Sequence, residues 1–287
     1  MTDRYKELRF TPLVLWPLGG AVIALLLSRV PPRADRGEML IAVSYIVYGL
    51  LFLAATRACA KAGVRVSEVF GRPPTNPAPW FHALIVVPFL LMTAGLLVVV
   101  WLIIGARFAP QWTNALLSKP GIPDLLQPAA SFTRWQLALI AVAVAPIVEE
   151  FVFRGLVLRR FVATRGFWQG VLVSAAIFAL LHPQQLLGAF VAGIVLALLY
   201  LASGSLLVSM LAHALNNAAV TVGILYARPD AQDARPETMV TMLRADWAPI
   251  SIAVLVALLA VGGCLIWLIR PLVAQARERA LHSYLEA

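Results

Sequence analysis

The chain has 287 residues, of which 61% are hydrophobic and only 13% charged, whereas soluble domains are about half apolar and a quarter charged. That balance excludes an ordinary soluble domain and points to a protein embedded in lipid. The formal net charge of +9, from 23 Lys and Arg against 14 Asp and Glu, reads as topogenic and lipid-facing. No basic cluster is interleaved with aromatics in a soluble module, so nucleic acid is not an expected partner.

A spanning helix needs roughly 20 apolar residues and a membrane strand about 10 with alternation. The apolar runs here are long and do not alternate. The expected fold class is therefore all-α, a polytopic transmembrane helical bundle of about eight spans. In chain order the spans are predicted over 12–30, 38–57, 82–106, 134–153, 167–182, 186–202, 205–226 and 248–270. The first ends at "SRVPPR" without a small-residue cleavage site, which predicts a retained span and not a signal peptide. The proline-rich 64–80 stretch and the basic C-terminal "RPLVAQARERALHSYLEA" are predicted to lie at the headgroups. The fifth and sixth spans are short and separated by "HPQQ", which predicts a tight hairpin with Pro183 ending the first of them. An even number of spans puts both termini on one side. The larger share of Lys and Arg falls there, so the termini are expected in the cytoplasm. No internal repeat is evident. One membrane domain is expected over 1–287, with residues 134–226 as its catalytic core, and Cys59 and Cys264 are expected to be unrelated buried thiols.

Three polar sets interrupt the apolar runs of the fourth to seventh spans. "EEFVFR" carries Glu149, Glu150 and Arg154; "FALLH" carries Phe178 and His182; "HALNN" carries His213 and Asn217. Residues four apart share a helix face, so each set presents its polar groups together. Ionisable groups at membrane depth face the bundle interior and are functional candidates. Adjacent residues on a helix point about 100° apart, so Glu149 and Glu150 cannot share one role. Glu150 and Arg154 form an i,i+4 pair in the favoured order and can neutralise each other within one helix. Glu149 is left without a local cation and needs partners from other helices. Taken singly, each set reads more readily as structural: an ion pair at a helix end, a packed histidine, an interhelical asparagine bond.

Taken together, a carboxylate and two imidazoles offer two routes to water attack on a carbonyl. Glu149, His182 and His213 could hold Zn²⁺ with a fourth position open for water. Without metal, Glu149 and His182 would polarise the water while His213 and Asn217 donate to the oxyanion. Neither "HEXXH" nor "GXSXG" occurs, so the zinc-helix and serine-elbow routes have no support.

At these residues the sequence resembles the CAAX-protease and bacteriocin-processing membrane proteins, which include the type II CAAX prenyl endopeptidases. That family is marked by EExxxR, FxxxH and HxxxN or HxxxD in this order, and all three stand intact at 149–154, 178–182 and 213–217. The resemblance implies a glutamate-dependent intramembrane endopeptidase. Glu149 would activate water with His182 as partner, His213 and Asn217 would complete the site, and Glu150, Arg154 and Phe178 would support it. It leaves the metal open: a divalent ion such as zinc would fall to Glu149, His182 and His213. The implied substrate is a membrane-anchored or lipidated peptide or protein in the bilayer, cut in CAAX-type or peptide-maturation processing. Arginine-rich, alanine-rich composition favours a bacterial inner membrane. Two other readings compete: a non-catalytic membrane partner or bacteriocin-immunity protein with a structural polar core, and a proton-coupled transporter.

Overall fold

A computed structural model describes residues 3–8, 36–117, 131–182, 185–226 and 236–285. Every regular element among them is helical. After a single turn at Asp3–Glu7 come α1 (Arg36–Lys61), α2 (Val66–Phe70), α3 (Ala78–Phe108) and α4 (Pro110–Leu117). Then follow α5 (131–165), α6 (Phe167–Leu180), α7 (Leu186–Ser203), α8 (Leu206–Tyr226), α9 (Pro236–Ala245) and α10 (Trp247–Leu285). Among the described residues, six helices are long and apolar enough to cross a membrane: α1, α3, α5, α7, α8 and α10. The protein is thus a polytopic helical bundle. The span expected over 12–30 lies outside the described residues. The segment expected as a fifth span is α6, whose 14 residues rise only about 21 Å against a hydrocarbon thickness of about 30 Å.

α7 sits at the centre. It is apolar on every side, and Val195 through Tyr200 are all buried in succession, as expected of a helix enclosed by others. Around it pack α3, α6, α8 and α10. Small residues set how closely they approach: a Cβ on Gly193 would lie 2.9 Å from both Cα and Cβ of Ala175 in α6. With no water to expel between them, membrane helices gain from this kind of backbone proximity. α7 ends at Gly204, which takes a left-handed conformation and returns its N–H to the Tyr200 carbonyl at 2.8 Å.

Two expectations change and a third is extended. The C-terminal stretch is no separate interfacial helix: α10 runs unbroken through Pro271. It is tied to the bundle by Arg279, which donates to the Ser203 carbonyl at 2.6 Å, and by Arg277 over the Trp168 ring. The 64–80 segment, expected at the headgroups, is in addition packed into the bundle, where Val69 is fully buried and Tyr200 donates to its carbonyl at 3.2 Å. Of the two thiols, Cys59 is buried, but Cys264 is exposed on the outer side of α10.

Gly193→Leu should push α6 and α7 apart and lower stability by about 1–3 kcal/mol through overpacking. Gly262→Leu in α10, where a Cβ meets nothing within 4 Å, should lower nothing. Thermal unfolding of the detergent-solubilised protein compares the two.

Candidate active site

Local geometry begins with α5, which is not a uniform α-helix. It widens into π-type turns at Ile140–Val144 and Phe151–Leu158, with the α-helical Ala145–Glu150 between them. The first widening precedes Pro146, a residue that has no N–H and crowds the preceding turn. Ala145 sends its N–H back five residues to Ile140. In that register the carbonyl of Ala141 would look to residue 146, which has no hydrogen to give. Asn217 Nδ2 on α8 donates to Ala141 at 2.9 Å instead. Asn217 therefore satisfies the carbonyl that the wide turn leaves over, and its Oδ1 faces Asn216 Nδ2 at 3.4 Å.

The two glutamates separate as their positions require. Glu150 is completely buried, as is Arg154, whose Nη1 lies 2.9 Å from Glu150 Oε1. The same oxygen accepts from His213 Nδ1 at 2.9 Å. Arg154 also lies over the Phe178 ring at 4.4 Å from its centroid, a cation–π contact that strengthens when desolvated. Phe178 in turn stacks on His182 at 4.4 Å and meets His213 edge-on at 5.8 Å. One aromatic ring thus spaces the arginine and both imidazoles.

Glu149 is buried but faces elsewhere. Its Oε1 accepts from the Tyr48 hydroxyl at 2.8 Å. Its Oε2 has no protein donor in range among the described residues and lies 3.8 Å from His182 Nε2 and 3.9 Å from His213 Nε2. The tautomers follow from the partners. A carbonyl can only accept, so His182 Nδ1, 2.8 Å from the Phe178 carbonyl, carries hydrogen. Likewise His213 Nδ1 donates to Glu150. A ring bonded this way through Nδ1 turns Nε2, its other nitrogen, toward Glu149 Oε2 in both cases. A water bridging these three atoms at ordinary hydrogen-bond lengths fits the spacing.

The donor types also suit a divalent ion, but the spacing does not close on one. Ligand bonds of about 2.0–2.1 Å around tetrahedral zinc bring neighbouring donors nearer than 3.8 Å. No group of three or more His, Cys, Asp or Glu among the described residues could hold a metal ion. The metal set Glu149, His182 and His213 is too open in this arrangement, so no step below passes through a metal.

These groups form the floor of a cavity of about 370 Å³. Its walls mix small residues, such as Ala94 of α3, Ala141 of α5 and Gly188 of α7, with larger apolar ones, such as Leu90, Leu196 and Ile224. Arg134 lines it near the start of α5. All seven site residues expected from the sequence therefore lie in one connected cluster. Tyr48 was missed, although a phenol inside the apolar run "SYIVYG" was a visible signal. The second phenol of that run, Tyr45, donates to Gln136 at 2.7 Å and joins α1 to α5.

Arg154→Gln should destabilise the protein by about 3–5 kcal/mol, because it leaves the Glu150 charge buried and uncompensated. The double variant Glu150→Gln/Arg154→Met should recover most of that loss. Unfolding in detergent, followed by helix content, reads both.

Residues 131–219 match the family model described as Rce1-like, type II CAAX prenyl endopeptidase. No curated protein and no solved structure matches the chain. The matched stretch contains all three motifs and every residue of the cluster except Tyr48, so over these residues the chain is similar to the Rce1-like type II CAAX prenyl endopeptidases, consistent with the CAAX-protease and bacteriocin-processing family.

Proposed function

We propose that the protein is an intramembrane endopeptidase in which Glu149 activates a water for attack on a peptide carbonyl. The observation that carries this reading is the buried Glu149 Oε2, without a protein donor among the described residues and turned toward two imidazole Nε2 atoms at 3.8 and 3.9 Å. Water held at that point gives one proton to Glu149 as its oxygen bonds to the carbonyl carbon. The carbonyl electron pair moves onto its oxygen and re-forms the C=O bond when the tetrahedral intermediate collapses, while His213, braced through Nδ1 by Glu150, accepts a hydrogen bond on Nε2 from the remaining O–H of the water. The C–N bond then breaks, and the proton held by Glu149 passes to the leaving amine, directly or through His182. Tyr48 fixes the carboxylate by its other oxygen, so that Oε2 faces the water. Asn217 acts one step removed, by holding the turn above the site.

The substrate in this reading is a membrane-associated peptide or protein. The setting is a bacterial inner membrane with the termini in the cytoplasm: the end of the bundle bearing Arg57, Lys61, Arg65, Arg159, Arg160 and Arg165 faces inward by the positive-inside rule.

Glu149→Gln should remove peptide cleavage by at least about a hundredfold, the low end of what general base catalysis contributes, while the unfolding temperature stays near wild type. His182→Ala should act in the same direction. Mass spectrometry of membrane peptides from cells with wild type or Glu149→Gln reads the product. A wild type that cleaves nothing, with both variants losing only stability, would leave the polar core a packing device of a partner or immunity protein.

A chelator titration addresses the metal separately. The purified enzyme should keep its activity, since no step uses an ion. Loss restored by zinc would mean that the trio closes on a metal.

A further inference from the structure

A second cavity, of about 590 Å³, opens at the opposite end of the bundle from the catalytic one. Three spanning helices meet there: the start of α3, the end of α7 and the last turns of α10, roofed by the 71–77 linker. α7 serves both chambers. Its Leu196 lines the catalytic cavity and its Leu199 and Ala202 line this one.

The lining is cationic. Arg72 and Arg279 supply its charge, with His82, Asn76, Thr75 and Gln275 as further polar groups, and no carboxylate occurs among the described residues that line it. Several of these groups are already oriented. Arg279 gives one nitrogen to the Ser203 carbonyl at 2.6 Å. His82 gives Nδ1–H to the Ala78 carbonyl at 2.9 Å. Asn76 accepts the Ala78 N–H on Oδ1, which leaves its amide hydrogens as donors. Arg72 has no acceptor among the described residues. Other arginines at this end are engaged within the protein: Arg65 pairs with Glu68, Arg159 donates to the Glu68 carbonyl, and Arg277 lies over Trp168. Depth is fixed by Trp80, whose indole donates to the Pro74 carbonyl at 3.2 Å, since tryptophans gather at the headgroup level. Leu199 and Leu272 give the chamber an apolar wall beside its polar mouth.

From this arrangement we infer that the cavity binds the phosphate of an acidic phospholipid headgroup, with Arg72 as the principal contact and the acyl chains running beside α7 and α10. Basic pockets between spanning helices on the cytoplasmic side recognise such headgroups. Guanidinium groups suit phosphate because they offer paired donors at fixed geometry. A lipid bound here would tie the 71–77 linker to the end of α10.

Purified protein in detergent is titrated with phosphatidylglycerol and with phosphatidylcholine, and bound lipid is counted by native mass spectrometry. Wild type should prefer phosphatidylglycerol. Arg72→Glu should weaken that binding at least about fivefold, the effect of one cation near a membrane surface, whereas Arg72→Lys should retain most of it. Arg270→Glu removes an exposed charge of the same end outside the cavity and should leave binding almost unchanged. Equal losses in Arg72→Glu and Arg270→Glu would reduce the effect to general surface charge and overturn the site, as would no loss in Arg72→Glu. A parallel titration with inorganic phosphate distinguishes the source. Stabilisation by free phosphate that Arg72→Glu abolishes, without any lipid preference, would refute a headgroup as the ligand. Arg72 is exposed in an irregular segment, so its substitution leaves the fold intact.

Discussion

The buried ion pair between Glu150 and Arg154 is the constraint around which the site is organised. Neither side chain touches solvent or lipid, and removing two charges from water consumes most of what their attraction returns. The pair is therefore poorly explained as a source of stability. Its value lies in what each partner holds in addition. Glu150 fixes the ring of His213 through Nδ1, and Arg154 lies under Phe178, against which His182 stacks. Arg154 Nη2 also points to the Gly193 carbonyl at 3.5 Å. A charge pair within one helix thus sets the position of groups on three others.

Backbone register is the second constraint. Pro146 stands one turn before Glu149, and the widening ahead of it leaves a carbonyl in need of a donor. Asn217 meets that need from α8, one turn beyond His213. The helix that carries the glutamates and the helix that carries His213 are locked by the same segments that place the candidate site groups. An asparagine of this kind looks like an oxyanion donor in the sequence, because its spacing from His213 puts it on the same face. Only the carbonyl of Ala141, which no sequence pattern marks, reveals what its amide is bonded to.

Much of the architecture was legible because lipid imposes simple rules on length and charge. The all-α bundle, the division of labour between Glu149 and Glu150, and the shared face of Phe178 and His182 follow from helical periodicity alone. Tyr48 escaped attention because a phenol is apolar enough to count as part of a span, and its partner lies 101 positions away. The C-terminal helix was misread for a related reason. In one dimension Arg277 and Arg279 read as part of a separate helix at the headgroups, but in the fold they continue α10 and meet an indole ring and a helix end. The short α6 was counted as a span because its apolar run continues to His182, whereas the helix stops at Leu180 ahead of Pro183.

Two adjacent carboxylates also answer a chemical conflict. An acid buried beside a permanent cation is stable but has little reason to take a proton from water, while an acid buried with no partner is too costly to keep charged. Placing the two functions 100° apart on one helix resolves this. Glu150 receives the guanidinium and becomes structural. Glu149 receives a phenol and two imidazoles, none of which carries a fixed charge and each of which can give or take a proton. In the proposed reading, that difference in partners is what assigns the exchange of a proton with water to Glu149 and not to Glu150.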